Sequence, residues 1–175
     1  MNNQTNANVL KGTYKMYIAG FDYGCAVVKA TVTLEGALDS LTKESITVTE
    51  HKQVTDFSKV PEFPIVEADF KRTVLDAYLV DAEGKKTAEP SCTAVIEMDE
   101  SPAEGSPLLF CFHTMLNTWA DPYELKIEGT GLTSAGKDVT LDIAVKETAR
   151  ETDADQYEKH TFKASNGTAI EYACW

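Results

Sequence analysis

Few residues of this chain have the type and spacing that catalysis requires. Ser40 and Lys43 match the Ser-x-x-Lys pattern of a nucleophile and its base, but they lie in a polar turn without the companion motifs of such enzymes. No Gly-x-Ser-x-Gly sequence, which would present a hydrolase serine on a sharp turn, occurs in the 175 residues. The sequence itself therefore predicts no catalytic site.

The histidines and cysteines are also poorly spaced for chemistry. They are His51, His113, His160, Cys25, Cys92, Cys111 and Cys174. No Cys-x-x-Cys pair occurs and no histidine follows a cysteine at metal-ligand spacing, so we predict neither a metal nor a cofactor. Most of the thiols are expected to be buried. Cys25 and Cys92 fall in predicted strands, which leaves an inter-sheet disulfide open, although the reduced state is favoured.

Composition and charge exclude several classes of partner. Sixteen basic against 28 acidic residues give a net charge of -12, which repels nucleic acid and anionic membrane surfaces. The apolar runs are too short to cross a bilayer. Met1–Leu10 lacks the basic flank and apolar stretch of a secretory signal. We therefore expect a cytoplasmic location, or a secreted one if the chain is a piece of a longer protein.

Strict alternation of apolar and polar residues predicts an all-β fold. The clearest example runs from Cys25 to Leu34, where Ala26, Val28 and the apolar residues that follow at every second position point one way. Other predicted strands are Tyr14–Ala19, Ile46–Val48, Arg72–Asp81, Cys92–Met98, Tyr123–Ile127 and Val139–Val145. About seven such strands indicate an immunoglobulin-like antiparallel β-sandwich.

Two regions interrupt this alternation. Residues 51–70 are predicted to form an ordered surface loop whose Phe57 and Phe63 are pinned to the body of the domain. Leu108–Trp119 is apolar and aromatic without a clean period. That segment stays undecided between a strand and an irregular connection.

Composition divides the chain into four parts. Residues 1–13 are expected to be a disordered lead-in, 14–145 the sandwich, 146–158 a charged linker and 159–175 a separate hairpin. Asn166-Gly167 supplies the turn of that hairpin. Glu83-Gly84 predicts a further tight turn within the sandwich.

Aromatic side chains are the candidate contact residues. Trp119 and Tyr123 bracket a predicted loop, where a ring could stack on a sugar or on a neighbouring domain. Trp119 could instead cap the core. Phe162, Tyr172 and Trp175 lie on the terminal hairpin and would be exposed unless another domain covers them.

Several segments resemble a known family. They are Phe21–Lys29, Ser40-Leu41 with Ile46-Thr47-Val48, Arg72–Asp81, Pro107-Leu108, Asn117-Thr118-Trp119 and Tyr123-Glu124-Leu125. Over about residues 14 to 145 the chain is similar to the N-terminal immunoglobulin-like domain that precedes the α/β-hydrolase domain in certain bacterial esterases and predicted peptidases. His160–Lys163 and Asn166–Tyr172 resemble the opening hairpin of the hydrolase domain in such proteins.

The resemblance implies a non-catalytic accessory role. Such a domain packs against the α/β-hydrolase domain, in cis or as a separate chain, shapes access to its active site, or supports homo-oligomer contacts. None of the family's catalytic residues maps onto this chain. A carbohydrate-binding module that stacks a glycan on Trp119 is the alternative, and an enzyme in its own right is a third hypothesis.

Overall fold

The computed structural model of the chain describes residues 8–101, 104–152 and 158–174. These residues form strands and a single 3-10 turn, Lys43–Ser45. The strands are β1 (Asn8–Leu10), β2 (Gly12–Phe21), β3 (Gly24–Leu38), β4 (Ile46–Thr55), β5 (Ile65–Arg72), β6 (Val74–Val80), β7 (Lys86–Thr87), β8 (Ser91–Met98), β9 (Leu108–Cys111), β10 (Leu116–Trp119), β11 (Tyr123–Ser134), β12 (Lys137–Ile143), β13 (Val145–Thr152), β14 (Glu158–Lys163) and β15 (Ala169–Cys174). Within the described ranges, no helix has the length and apolar character needed to span a membrane.

Two large sheets enclose one core. The five-stranded sheet has the order β1-β12-β11-β4-β5, and the six-stranded sheet has the order β13-β2-β3-β8-β6-β7. Apolar side chains of both sheets form a single buried cluster between them, which includes Tyr14, Ile96, Leu125 and Ile143. This arrangement confirms the immunoglobulin-like β-sandwich that the alternating pattern predicts.

Strand β3 shows how far the alternation holds. From Ala30 to Leu34 every second residue is buried, as predicted. Towards the start of the strand the register with β2 shifts between Tyr17 and Ile18, so that Val27, not Val28, is fully buried. A β-bulge of this kind reverses the facing of the residues on one side of it.

The predicted strand Arg72–Asp81 is in fact two strands in different sheets. β5 ends at Arg72 in the five-stranded sheet, and β6 begins at Val74 in the six-stranded sheet. Thr73 is the point where the chain crosses over. Apart from Arg72, Thr73 and Asp81 the segment is β6, in which Ala77 and Leu79 are buried whereas Leu75 is 48% exposed.

The structure corrects two of the predicted boundaries. Residues 8–13 are not disordered, since β1 pairs in parallel with β12 and β2 begins at Gly12. Residues 146–152 of the predicted linker belong to β13, which pairs in parallel with β2. Alternation is weak in both segments because each lies at the edge of a sheet. The rest of the predicted linker, residues 153–157, and residues 1–7 lie outside the described residues.

The two interrupted regions are more regular than predicted. Strand β4 continues to Thr55 and β5 starts at Ile65, so the surface loop is only residues 56–64. Leu108–Trp119 is a small hairpin of β9 and β10, outside both large sheets. The terminal hairpin of β14 and β15 has the predicted turn, where Gly167 has a φ of 86° and its amide donates to the Ala164 carbonyl over 2.9 Å.

Candidate contact surface

An exposed group of aromatic and aliphatic side chains gathers beside the five-stranded sheet. We define this aromatic patch as Phe57 and Phe63 of the 56–64 loop with Phe110, Phe112 and Leu116 of the β9–β10 hairpin. Phe57 is 56% exposed and Leu116 63% exposed. Large apolar side chains exposed together on a folded domain commonly mark a contact surface.

The rings of the patch contact one another and hold the loop to the hairpin. The ring centres of Phe63 and Phe112 are 4.0 Å apart, and those of Phe57 and Phe110 are 6.5 Å apart. Phe57 and Phe63 lie 6.1 Å apart at a steep angle. These separations fall near the range in which aromatic pairs attract each other beyond simple burial.

Hydrogen bonds fix the backbone under the patch. The Thr55 hydroxyl donates to the Phe110 carbonyl, and the Asp56 amide donates to the Pro64 carbonyl over 2.8 Å, which closes the base of the loop. The Ser58 hydroxyl and amide both donate to the Asp56 carboxylate, which lowers the pKa of that carboxyl. The patch is therefore presented on an ordered loop.

Beneath the patch, the hairpin is tied to a buried charge network. Lys52 donates to the Ser106 carbonyl over 3.0 Å, directly before β9, and its Nζ lies 2.7 Å from Oε1 of Glu50. Glu50 also accepts from the Tyr123 hydroxyl over 2.8 Å and from Arg72 over 3.2 Å. Burial, with the nearby Glu50 charge, raises the pKa of Tyr123 far above its ordinary value.

Arg72 is the centre of this network. Its guanidinium donates to the carbonyls of Val27 and Asp99, each over 2.9 Å. Its Nε makes no hydrogen bond but lies 3.7 Å from Oε2 of Glu104, which in turn accepts from the Thr73 amide over 2.8 Å. A buried arginine is tolerated only when its charge and donors are largely satisfied, as they are here.

The structure places the five candidate residues in different settings. Trp119 is 52% exposed at the end of β10, so it does not cap the core, and Phe162 is 57% exposed on the terminal hairpin. Tyr123 is only 1% exposed, so its predicted role as a surface contact is wrong. It starts β11 and its ring belongs to the core. Trp175 and the side chain of Tyr172 lie outside the described residues.

Sequence reasoning missed most of the patch. The prediction that Phe57 and Phe63 are pinned to the body is wrong for Phe57, which is 56% exposed, whereas Phe63 is half-buried and packs against Phe112. Two features of the sequence could have pointed to the patch. One is the proline-bearing loop with its phenylalanines, and the other is the apolar segment Leu108–Trp119, which has no clear period. Their proximity depends on the pairing of β4 with β5 and of β9 with β10, which the sequence does not specify.

The reactive side chains of the described residues lie apart from one another. Among the described residues, no group of three or more histidine, cysteine, aspartate or glutamate side chains could hold a metal ion. Cys25, Cys92 and Cys111 are free thiols, Cys92 is exposed, and the other two are half-buried. The disulfide between Cys25 and Cys92 is therefore not formed, and the expectation of buried thiols is wrong for Cys92.

Comparison with known proteins agrees with this architecture. A crystal structure of a thermostable esterase matches with a TM-score of 0.63 at 17% sequence identity, over 91% of this chain. The chain spans 41% of the length of that esterase, and at this identity the similarity establishes the fold. No curated protein sequence matches the chain significantly.

The family model of the esterase Ig-like N-terminal domain matches residues 13–157. The match covers the two sheets from the start of β2 through β13 and takes in the patch, the network and the crossing at Thr73. The chain therefore belongs to the family of esterase Ig-like N-terminal domains.

Proposed function

We propose that this chain is a non-catalytic accessory domain that acts by seating its aromatic patch against the α/β-hydrolase domain of an esterase. The exposed patch is the observation that carries the proposal. The family match supplies the kind of partner, since domains of this family belong to esterases. The hydrolase domain is either joined to the chain or a separate polypeptide.

The patch has the physical properties of a preformed interface. Phe57 and Phe112 are exposed, yet the backbone is held by the bonds of Thr55, Asp56 and Lys52, so little conformational freedom is lost on binding. Burying one large apolar side chain contributes about 1.5–3 kcal/mol. Several patch side chains buried together can therefore stabilise a specific contact.

The test is a titration of this chain with the hydrolase domain proposed as its partner, in which calorimetry measures the binding affinity. The double variant Phe112→Ser/Leu116→Ser removes two exposed patch side chains without touching the charge network. We expect it to weaken binding at least tenfold. The matched control is Leu75→Ser, which removes an exposed leucine from the other large sheet and should bind like the wild type.

Equal affinity of the patch variant and the wild type would refute the proposed contact. A self-association role gives a different result. If the patch is a contact between copies of the chain, sedimentation of the chain alone will show an oligomer that the patch variant loses. The hydrolase domain would then bind both forms alike or not at all.

A further inference from the structure

The other large sheet has an ordered polar surface that the accessory role does not use. Tyr17 of β2, Lys29 of β3, Glu97 of β8 and Asp76 of β6 are successive cross-strand partners. Their neighbours along each strand, such as Ile96, are buried in the core, so these four side chains lie on the outer face. They form one row across four adjacent strands, with members about 5 Å apart.

Contacts within the row hold its side chains in place. Nζ of Lys29 lies 4.5 Å from the centre of the Tyr17 ring, and the Tyr78 hydroxyl donates to Glu97 over 2.8 Å. The contact with Lys29 is a cation–π interaction, which orients both groups. The row therefore presents an aromatic ring, an ammonium group and a carboxylate at fixed spacing.

A cleft opens along this row. Tyr17, Lys29 and Glu97 line it together with Leu75 and Glu100. Leu75 is 48% exposed, because the register between β6 and β8 shifts between Val74 and Asp76. The cleft thus combines the apolar side chain of Leu75 and the Tyr17 ring, one face of which holds Lys29, with groups that donate and accept hydrogen bonds.

The charges around the cleft nearly cancel. Within its lining Lys29 stands against Glu97 and Glu100, and beside the cleft Lys86 stands against Asp76, in a chain whose net charge is -12. Lys86 donates to Asp76 over 2.9 Å, so part of this charge is neutralised within the surface. A strongly charged ligand would find no complementary field here, whereas a neutral ligand with many hydroxyl groups would find both donors and acceptors.

The backbone under the cleft is already paired. β2, β3 and β8 each have a hydrogen-bonded neighbour on both sides. A peptide that binds by adding a strand needs an unpaired sheet edge, which these strands do not offer. Recognition must therefore come from side chains, and a sugar ring suits them because it has an apolar face for Tyr17 and hydroxyl groups for Lys29 and Glu97.

We propose that this cleft binds a neutral oligosaccharide chain that runs across the strands along Tyr17, Lys29 and Glu97. The site is separate from the aromatic patch and from Trp119. It would let the same domain hold an attached hydrolase near a glycan while the patch contacts the hydrolase domain.

Affinity electrophoresis tests the proposal directly. The complete chain is acidic, with a pI of about 4.6, and so migrates readily in native gels at neutral pH. Gels are cast without polysaccharide and with hydroxyethylcellulose, xylan or galactomannan. We expect at least one polysaccharide to slow the wild type, and Tyr17→Ala to weaken the retardation at least tenfold.

Glu97→Gln is the second variant, because it keeps an acceptor for Tyr78 and should preserve the fold even where Tyr17→Ala does not. It is expected to weaken retardation as well. Trp119→Ala and Phe112→Ser should be slowed like the wild type. The patch variant Phe112→Ser/Leu116→Ser distinguishes the two proposals. It should lose binding to the hydrolase domain but keep its retardation by polysaccharide.

Two results would overturn the glycan site. One is an absence of retardation by all three polysaccharides. The other is retardation that Trp119→Ala abolishes while Tyr17→Ala and Glu97→Gln leave it intact, which would move glycan binding to the β9–β10 hairpin. If no polysaccharide slows the wild type and Glu97→Gln loses binding to the hydrolase domain, the cleft is a protein contact instead.

Discussion

A buried hydrogen bond between Arg72 and Val27 joins the two sheets of the sandwich. Nη2 of Arg72, at the end of β5 in the five-stranded sheet, donates over 2.9 Å to the carbonyl of Val27 in β3 of the six-stranded sheet. Both side chains are fully buried. The strand crossing at Thr73 therefore coincides with a polar link between the layers.

Replacement of Arg72 by Met should destabilise the domain by about 3–5 kcal/mol, because Glu50 and Tyr123 lose a buried partner and two carbonyls lose a donor. Urea unfolding followed by circular dichroism measures this change. The exposed neighbour Lys71→Met is the control and should change the free energy of unfolding by less than about 0.5 kcal/mol. Equal stability of Arg72→Met and wild type would show that the network is dispensable.

Gly105 should tolerate alanine poorly because two penalties combine there. Its φ of 81° disfavours any side chain, and a Cβ would lie 2.5 Å from Nη2 of Arg72. Gly84→Ala is the matched control, with a φ of 78° and open space around the new Cβ. We expect Gly84→Ala to cost about 1–2 kcal/mol and Gly105→Ala clearly more, as measured by thermal unfolding. Equal costs would mean that Arg72 moves aside without loss.

His51 should make the stability of the domain depend on pH. Its Nδ1 lies 2.7 Å from Oδ1 of Asp69 and its Nε2 lies 3.4 Å from Glu67, and the hydrogen bond to Asp69 raises the pKa of His51. A raised folded pKa gives stabilisation that is complete below the unfolded value of about 6.5 and is lost as pH rises through the folded value. Proton NMR titration should show the raised pKa of His51.

Asp69→Asn isolates the cause of that shift. Because the variant removes the carboxylate that holds the proton on His51, we expect the measured pKa of His51 to fall and the loss of stability above pH 6.5 to shrink. Urea midpoints of both proteins on either side of the titration provide the second readout. An unchanged pKa in Asp69→Asn would assign the shift to the other carboxylate beside His51, that of Glu67.

Phe63 and Phe112 should be energetically coupled, because their rings are the closest pair that joins the loop to the hairpin. A double-mutant cycle with Phe63→Ala and Phe112→Ala should give a coupling free energy of about 0.5–1.5 kcal/mol in urea unfolding. Additive effects of the two substitutions would show that loop and hairpin are held independently of this ring pair. The hydrogen bonds of the Thr55 hydroxyl with the Phe110 carbonyl and of His113 with the Glu62 carbonyl would then hold the two segments together.

The sequence predicts the sandwich well because alternation reports directly which side chains of a strand are buried. It predicts Ala30, Val32 and Leu34 correctly, yet misplaces Val28, since a bulge depends on the partner strand. The edge strands β1 and β13 escape prediction because an edge needs little apolar pattern, and parallel pairing leaves no hairpin signal.

The contact surface is harder to predict than the fold. Tyr123 and Trp119 are four residues apart and similar in character, but one is buried against Glu50 and the other is exposed on β10. The difference arises from which sheet each strand joins, since β11 belongs to the five-stranded sheet and β10 pairs only with β9. Long-range pairing of this kind is not encoded in the local pattern.

Amide hydrogen exchange, measured with and without the hydrolase domain proposed as the partner, tests the central claim most directly. We expect the partner to protect amides of the 56–64 loop and of the β9–β10 hairpin, and to leave β2, β3 and β8 unchanged. Protection confined to any other surface, or no protection at partner concentrations that saturate binding, would contradict the assignment of the aromatic patch as the contact surface.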